Sequence, residues 1–243
     1  MRAFDCDTLF GPWPAARPDT SLAALLSLME QHDVRRALTA STTGIFHDHE
    51  RGNRETLAAC RQHPQLLPMA TLNPQASPRP ERAVERLAGQ GFRVLRLYNR
   101  LQEWPLRYAP LRRILPAAAG AGLPVIVDCE QPGQPTALLE AMPPAGRFPA
   151  LRVVMQGVRY FNFAEALAVM REDERLFLSL KNLIMPDSIE VAVEEAGAAR
   201  LILATQAPAD YLFPSLLRLE KARISGDARE AIRWQNAQRL TSA

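Results

Sequence analysis

Leu123-Pro124-Val125-Ile126-Val127-Asp128-Cys129-Glu130 is an apolar, β-branched run that follows Gly120 and Gly122 and ends on two acids. A stretch of that length, bounded by turn residues, reads as a strand buried on both faces. Seven more runs of this kind occur, at residues 3–9, 34–41, 66–72, 92–98, 151–156, 176–181 and 200–206. Between them the apolar period becomes helical, as with Leu22, Leu25, Leu26 and Met29, or Ala83, Val84 and Leu87. Asn73-Pro74 and Gly89 with Gly91 punctuate the joints as αβ and βα turns. Eight strand–helix units in 243 residues predict one domain spanning 1–243, a single (β/α)8 TIM barrel. An open doubly wound sheet is the runner-up, although the first βα turn lacks GxGxxG.

Finer expectations follow from the same pass. Asp227 with Glu230 predicts a capping box that opens a last helix through Leu240. The proline-rich patches at 12–18, 75–80 and 143–149 are expected as surface loops, because the twenty prolines should avoid helix and strand interiors. No low-complexity segment or internal repeat interrupts the alternation.

Composition narrows the function classes. An apolar fraction of 47% supports a large buried core, and the net charge is only +3. Arginine supplies nearly all the basic residues, with Lys181 and Lys221 the only lysines, and no basic cluster interleaved with aromatics suggests a nucleic-acid partner. No apolar run reaches membrane length, and the opening residues lack a signal-peptide core, so a cytoplasmic location is expected. Cys6, Cys60 and Cys129 are odd in number and far apart, which supports neither a disulfide framework nor a CxxC metal site.

In a barrel the ligand site lies at the carboxyl ends of the strands. Period two puts Asp5 and Asp7 on one face of the first strand, Arg96 and Tyr98 on one face of the fourth, and Asp128 with Glu130 on the fifth. Gln156 ends the sixth strand, Lys181 the seventh and Gln206 the eighth. Cys6 and Cys129 have the opposite parity and are expected to be inert thiols against the helix layer.

At these positions the chain resembles the amidohydrolase superfamily, in the branch of small barrels that includes aminocarboxymuconate-semialdehyde decarboxylase. Phe4-Asp-Cys-Asp-Thr-Leu-Phe-Gly11 is similar to the family's Asp-x-His-x-His strand, and Val153-Val-Met-Gln-Gly157 to the strand ending His-Gly. Residues 123–128 are similar to the strand that ends in a metal-binding histidine. Residues 201–208 are similar to the strand ending Gly-Ser-Asp-x-Pro, and Asn236-Ala-Gln-Arg-Leu240 to the family's terminal Asn-Ala-x-Arg-Leu. The resemblance implies a hydrolase-type barrel and a divalent cation. Yet the implied ligand positions read Asp7, Leu9, Asp128, Gln156 and Gln206, without a histidine. A neutral amide is a poor ligand and leucine is none, so a family-type zinc site is not expected; Gln206 also removes the usual base.

Two readings of the mouth stay open. In the functional one, Asp128, Asp7 and Lys181 act catalytically on a small carboxylated molecule, as a metal-independent hydrolase or lyase. Arg96, Tyr98, Glu130, Gln156, Gln206, His47 and His49 then bind the substrate. In the other, the same groups form a structural ion-pair network, with Arg96 or Lys181 standing where the cation stood, and the barrel serves as a small-molecule-binding or interaction protein. No cofactor is expected, the alternative being Mg or Mn on Asp7, Asp128 and Glu130. His47 and His49 form the only close histidine pair, and their acidic surroundings read equally well as a solvated helix start. His32 and His63 read as helix-end residues. Trp13, Trp104 and Tyr108 either wall a pocket or pack their loops onto the barrel. The expected ligand is small and anionic; apolar patches on the outer helices would support a homodimer.

Overall fold

The computed structural model describes residues 2–14 and 19–242, so residues 15–18 of the first proline-rich patch lie outside the description. Eight parallel strands run around one sheet in chain order: β1 (Ala3–Phe10), β2 (Val34–Ser41), β3 (Leu66–Thr71), β4 (Val94–Leu97), β5 (Val125–Asp128), β6 (Val153–Gln156), β7 (Leu176–Ser179) and β8 (Leu201–Ile202). The β8 end returns to β1. The Cys6 amide donates to the Leu203 carbonyl and the Leu9 amide to that of Ala207, both at 2.9 Å, and a bridge joins Thr8 to Ala207. The sheet therefore closes into the expected (β/α)8 barrel.

The outer layer comprises α1 (Leu22–Gln31), α2 (Thr43–Phe46), α3 (His49–Gln62), α4 (Pro80–Ala88), α5 (Leu111–Gly120), α6 (Gln134–Ala141), α7 (Phe163–Glu172), α8 (Ser188–Ala196) and α9 (Leu212–Lys221). Alternation along the strands divides the core in two. Leu95, Leu97, Val125, Val127 and Met155 face helix residues such as Ile114, Leu138 and Leu167. Val94, Ile126, Val154 and Ile202 fill the interior with Phe4, Leu38 and Met69. The chain then runs through α10 (Gly226–Glu230), a π-helical turn at Ala231–Gln235 and α11 (Asn236–Thr241), whose Ala237 and Leu240 pack against the interior cluster. Asn236 explains its place there: its side-chain amide donates to the Ala198 and Leu201 carbonyls, each at 2.7 Å.

Three expectations are corrected. First, β1 carries a bulge: Asp5 pairs with Ala37 but Thr8 with Thr39, so three steps on β1 match two on β2. The parity flips in between. Cys6 joins the interior cluster instead of the helix layer, and Asp5 is left in the β1–β8 seam, away from the face of Asp7. Cys129 does lie in the outer cluster, and burial pushes both thiols well above their ordinary values. Second, the cap of the C-terminal run is Ser225, whose hydroxyl accepts from the Ala228 amide at 3.1 Å, so Asp227 falls inside the first turn. Third, prolines do enter elements. Pro116 lies within α5 and Pro68 within β3, at the last register position shared with β2, where its carbonyl still accepts from Arg93 at 2.9 Å. No helix of the described residues is long and apolar enough to cross a membrane.

Candidate functional site

The strand ends are organised by one guanidinium. Arg96 is fully buried; its Nε donates to Asp7 Oδ2 at 3.2 Å, Nη2 to Asp128 Oδ1 at 2.5 Å and Nη1 to the Leu97 carbonyl at 2.7 Å. β1 and β4 are not neighbours, so the Asp7 contact crosses the interior. Gln156 Nε2 donates to the same Asp7 oxygen at 2.8 Å, and the guanidinium carbon lies 4.2 Å from the Tyr98 ring centre. Asn99 fixes the end of β5, accepting the Asp128 amide at 2.8 Å and donating to its carbonyl at 3.0 Å.

Charge follows from this packing. Burial pushes the Asp7 carboxyl up, while Arg96 and Lys181 pull it back. Burial alone would lower the Arg96 guanidinium, but Asp128 and Asp7 outweigh it and hold the group above its ordinary value. The Tyr98 phenol is driven well up by burial, with Asp7 adding to the effect. In the seam, Asp5 accepts from the Thr205 amide at 3.0 Å and hydroxyl at 2.5 Å, yet burial still carries it to about 7.

Lys181 takes a different place. Its ammonium pairs with Asp210 at 3.0 Å and donates to Gln206 Oε1, and it makes no ion pair with Asp7 or Asp128. Gln206 stands in the left-handed region with φ 64°, its amide donating to the Asp7 carbonyl at 2.5 Å. Glu130 leaves the central cluster for the rim, between Arg100 and Arg159 at 3.0 Å each. Gly157 makes room for it: with φ +80°, a Cβ there would lie 2.8 Å from Glu130 Cγ.

The mouth is covered. Leu9, Ile45, Tyr98 and Ala209 pack together beneath Trp13, Phe46 and Leu101, with the Trp13 and Phe46 rings edge-on at 5.1 Å. Asp7, Arg96, Tyr98 and Gln156 have no solvent exposure under this plug. All three Arg96 nitrogens donate within the chain, and the side chain, which was expected to hold a substrate carboxylate, is sealed from solvent. Half-exposed Arg100 and Arg159 reach solvent instead.

His47 and His49 do not join this cluster. They flank Asp48, which caps α3 by accepting from the Glu50 amide at 2.8 Å and the Arg51 amide at 3.3 Å. His49 lines a groove of about 290 Å³ beside Arg54, Arg86 and Leu87, and burial lowers its imidazole. Trp104 is buried and donates to Gln102 Oε1 at 3.2 Å, with Tyr108 beside it, so these rings pack their loop. His32 and His63 close α1 and α3, as expected. Sequence reasoning missed Asn99, Arg100, Arg159, Thr205 and Asp210. All lie at or beyond strand ends, where period two stops assigning a direction.

Comparison with known proteins settles the lineage. A family model described as Amidohydrolase matches residues 3–240. The chain belongs to the amidohydrolase family. Among solved structures it is similar to a dihydroxybenzoic acid decarboxylase from Polaromonas sp. JS666 with bound manganese (TM-score 0.76, 14% identity, 98% of this chain and 96% of that one). It is also similar to a 2,6-dihydroxybenzoate decarboxylase from Rhizobium (TM-score 0.75, 15% identity, 99% and 98%). An uncharacterised TIM-barrel protein from Bordetella bronchiseptica gives TM-score 0.76 at 18% identity, covering 99% and 98%. No curated protein matches. The small-barrel branch expected from the sequence fits these neighbours.

An amidohydrolase barrel implies a divalent cation, and the side chains at the positions the resemblance assigns to it are engaged within the chain. Asp7 and Asp128 both face Arg96, and Gln206 Oε1 accepts from Lys181. At the strand ends Asp7 Oδ1, Gln156 Oε1, the Tyr98 hydroxyl and Ser179 Oγ have no hydrogen-bond partner among the described residues, so only one of the unpartnered oxygens beside Arg96 is a carboxylate's. Magnesium and manganese prefer six oxygens, and zinc prefers imidazole, thiolate or carboxylate. The alternative site on Asp7, Asp128 and Glu130 is not formed, because Arg100 and Arg159 draw Glu130 to the rim. Among the described residues no three His, Cys, Asp or Glu side chains gather as a metal site.

Proposed function

We propose that this amidohydrolase barrel has exchanged its metal centre for a built-in guanidinium, and that it binds a small anionic molecule at its rim without metal-dependent hydrolysis. One observation carries the reading: Arg96 bridges Asp7 and Asp128 between strands where the family places its ligands. The charge balance supports the rim as the anion's place. Arg96 and Lys181 are outnumbered by Asp7, Asp128 and Asp210, whereas Arg100 and Arg159 share the single charge of Glu130. Two of the structural neighbours decarboxylate dihydroxybenzoates, which makes aromatic carboxylates the first compounds to try.

Elemental analysis and calorimetric manganese titration of the full chain test the metal half of this reading. Stoichiometric manganese or zinc would contradict it. Titration with benzoate and 2,6-dihydroxybenzoate tests the other half: heat of binding is expected from the unaltered chain and at least about fivefold weaker affinity from Arg159→Ala. Equal affinity in the two proteins would refute the rim assignment.

A second reading, a metal-independent lyase, is favoured by Lys181 alone. Its amine is buried at the end of β7 beside a half-exposed acid, a setting from which a Schiff base could form. Borohydride in the presence of small keto acids should then leave a reduced adduct on Lys181. An unmodified Lys181 peptide would retire this version.

A further inference from the structure

His49, which the mouth does not use, belongs to a groove of about 290 Å³ between α3 and α4. Buried Asn53, Ala83 and Leu87 form its floor. Asn53 is clamped to the end of β3, donating to the Thr71 carbonyl at 2.9 Å and accepting from the Thr71 amide at 2.8 Å, so the barrel itself holds that floor in place. Half-buried His49 and the exposed side chains of Arg54 and Arg86 line the sides, with Glu50 the one acid among the lining residues.

The groove's cations are not answered from within the chain. Arg51 on the same helix pairs with Glu55 at 3.0 Å, whereas Arg54, Arg86 and Glu50 make no ion pair among the described residues. Burial lowers the His49 imidazole; Glu50 and Asp48 oppose this, and Arg86 adds to it from α4, which puts guanidinium and ring within electrostatic reach across the groove. The site is made of side chains rather than of the α3 N-terminus, whose Glu50 and Arg51 amides Asp48 already takes.

We propose that this groove binds a small organic phosphate monoester, its phosphoryl group held by Arg54, Arg86 and His49 and its organic part lying over Ala83 and Leu87. Three donor-bearing side chains from two helices match the three terminal oxygens of a phosphoryl group, whereas a carboxylate has only two. A neutral imidazole still offers one N–H to such an oxygen. The charge agrees: two guanidiniums against the single carboxylate of Glu50 leave a positive surplus, and a phosphate monoester brings about −1.5 to −2 at neutral pH. None of the mouth or rim residues lines this groove, so the inference stands apart from the proposed ligand site.

Calorimetric titration of the full chain with phenyl phosphate tests it, in the Arg159→Ala background so that the rim contributes nothing. Saturable one-to-one binding is expected there, about tenfold weaker after Arg54→Ala or Arg86→Ala. Both arginines are exposed, so neither change should alter the circular dichroism melt. The His49 imidazole signals should move in the NMR spectrum during the same titration. Inorganic phosphate is expected to bind at least about fivefold more weakly, because it leaves Ala83 and Leu87 uncovered. No binding up to about 10 mM, binding indifferent to both arginine changes, an unmoved His49 signal or equal affinity for the two phosphates would each overturn the proposal.

Discussion

Arg96 makes an ordinary strand residue into the centre of the mouth, because a buried guanidinium must find anions and two lie within reach. Arg96→Met should cost about 3–5 kcal/mol in urea unfolding, since it leaves Asp7 and Asp128 charged and unpaired. Adding Asp7→Asn and Asp128→Asn should recover most of that loss; no recovery would mean that the cluster does not act as one unit. Asp5 gives a pH signature. Its folded value of about 7 lies above the ordinary 3.8, so the protonated form is favoured in the native state. The stability it contributes is complete below about pH 4 and is lost as the pH rises through about 7, up to about 4 kcal/mol. Asp7, also raised, acts with the same sign. Asp5→Asn should flatten the profile of melting temperature against pH, and an unchanged slope would assign it elsewhere. Arg96 and Asp128 were legible as inward-facing because both obey period two near strand ends, whereas Asp7 reaches the same face only across the bulge that also turns Cys6 inward. Which of Arg96 and Lys181 would sit between the acids was not legible, because that depends on side-chain reach across the interior.

Among the elements, β1 shows where pattern reading fails. Its bulge leaves no mark in Ala3–Phe10, a run whose eight residues are all buried, so neither burial nor polarity reports the slip in register. The C-terminal run shows a smaller failure. Ser225 and Asp227 are both good capping types, and only the hydroxyl bond to Ala228 decides between them. Ser225→Ala should lower stability by about 1 kcal/mol and Asp227→Ala by a few tenths; equal losses would restore the capping-box reading. Between α2 and α3 the approach is closer still, for a Cβ on Gly52 would lie 2.1 Å from the Gly44 amide nitrogen. Gly52→Ala should therefore cost about 1–3 kcal/mol and displace α2, which carries Ile45 into the plug. A sharper Trp fluorescence change than for a surface alanine control would report loosening of Phe46 against Trp13.

On the scale of the whole molecule, the eight-fold alternation of buried strands and amphipathic helices was enough to reveal the barrel, since each unit repeats one local pattern. The covering of the mouth was not legible. It is assembled from Trp13, Ile45, Tyr98, Leu101 and Ala209 in four separate loops and strand ends, and none has a sequence signature of its own. That covering and the guanidinium beneath it are the two features on which the proposed loss of the metal centre rests. A crystal structure grown with excess manganese and recorded at an anomalous wavelength tests this most directly. Arg96 should bridge Asp7 and Asp128 with no anomalous peak between them; a manganese ion seated on Asp7, with the Arg96 side chain swung away, would contradict it.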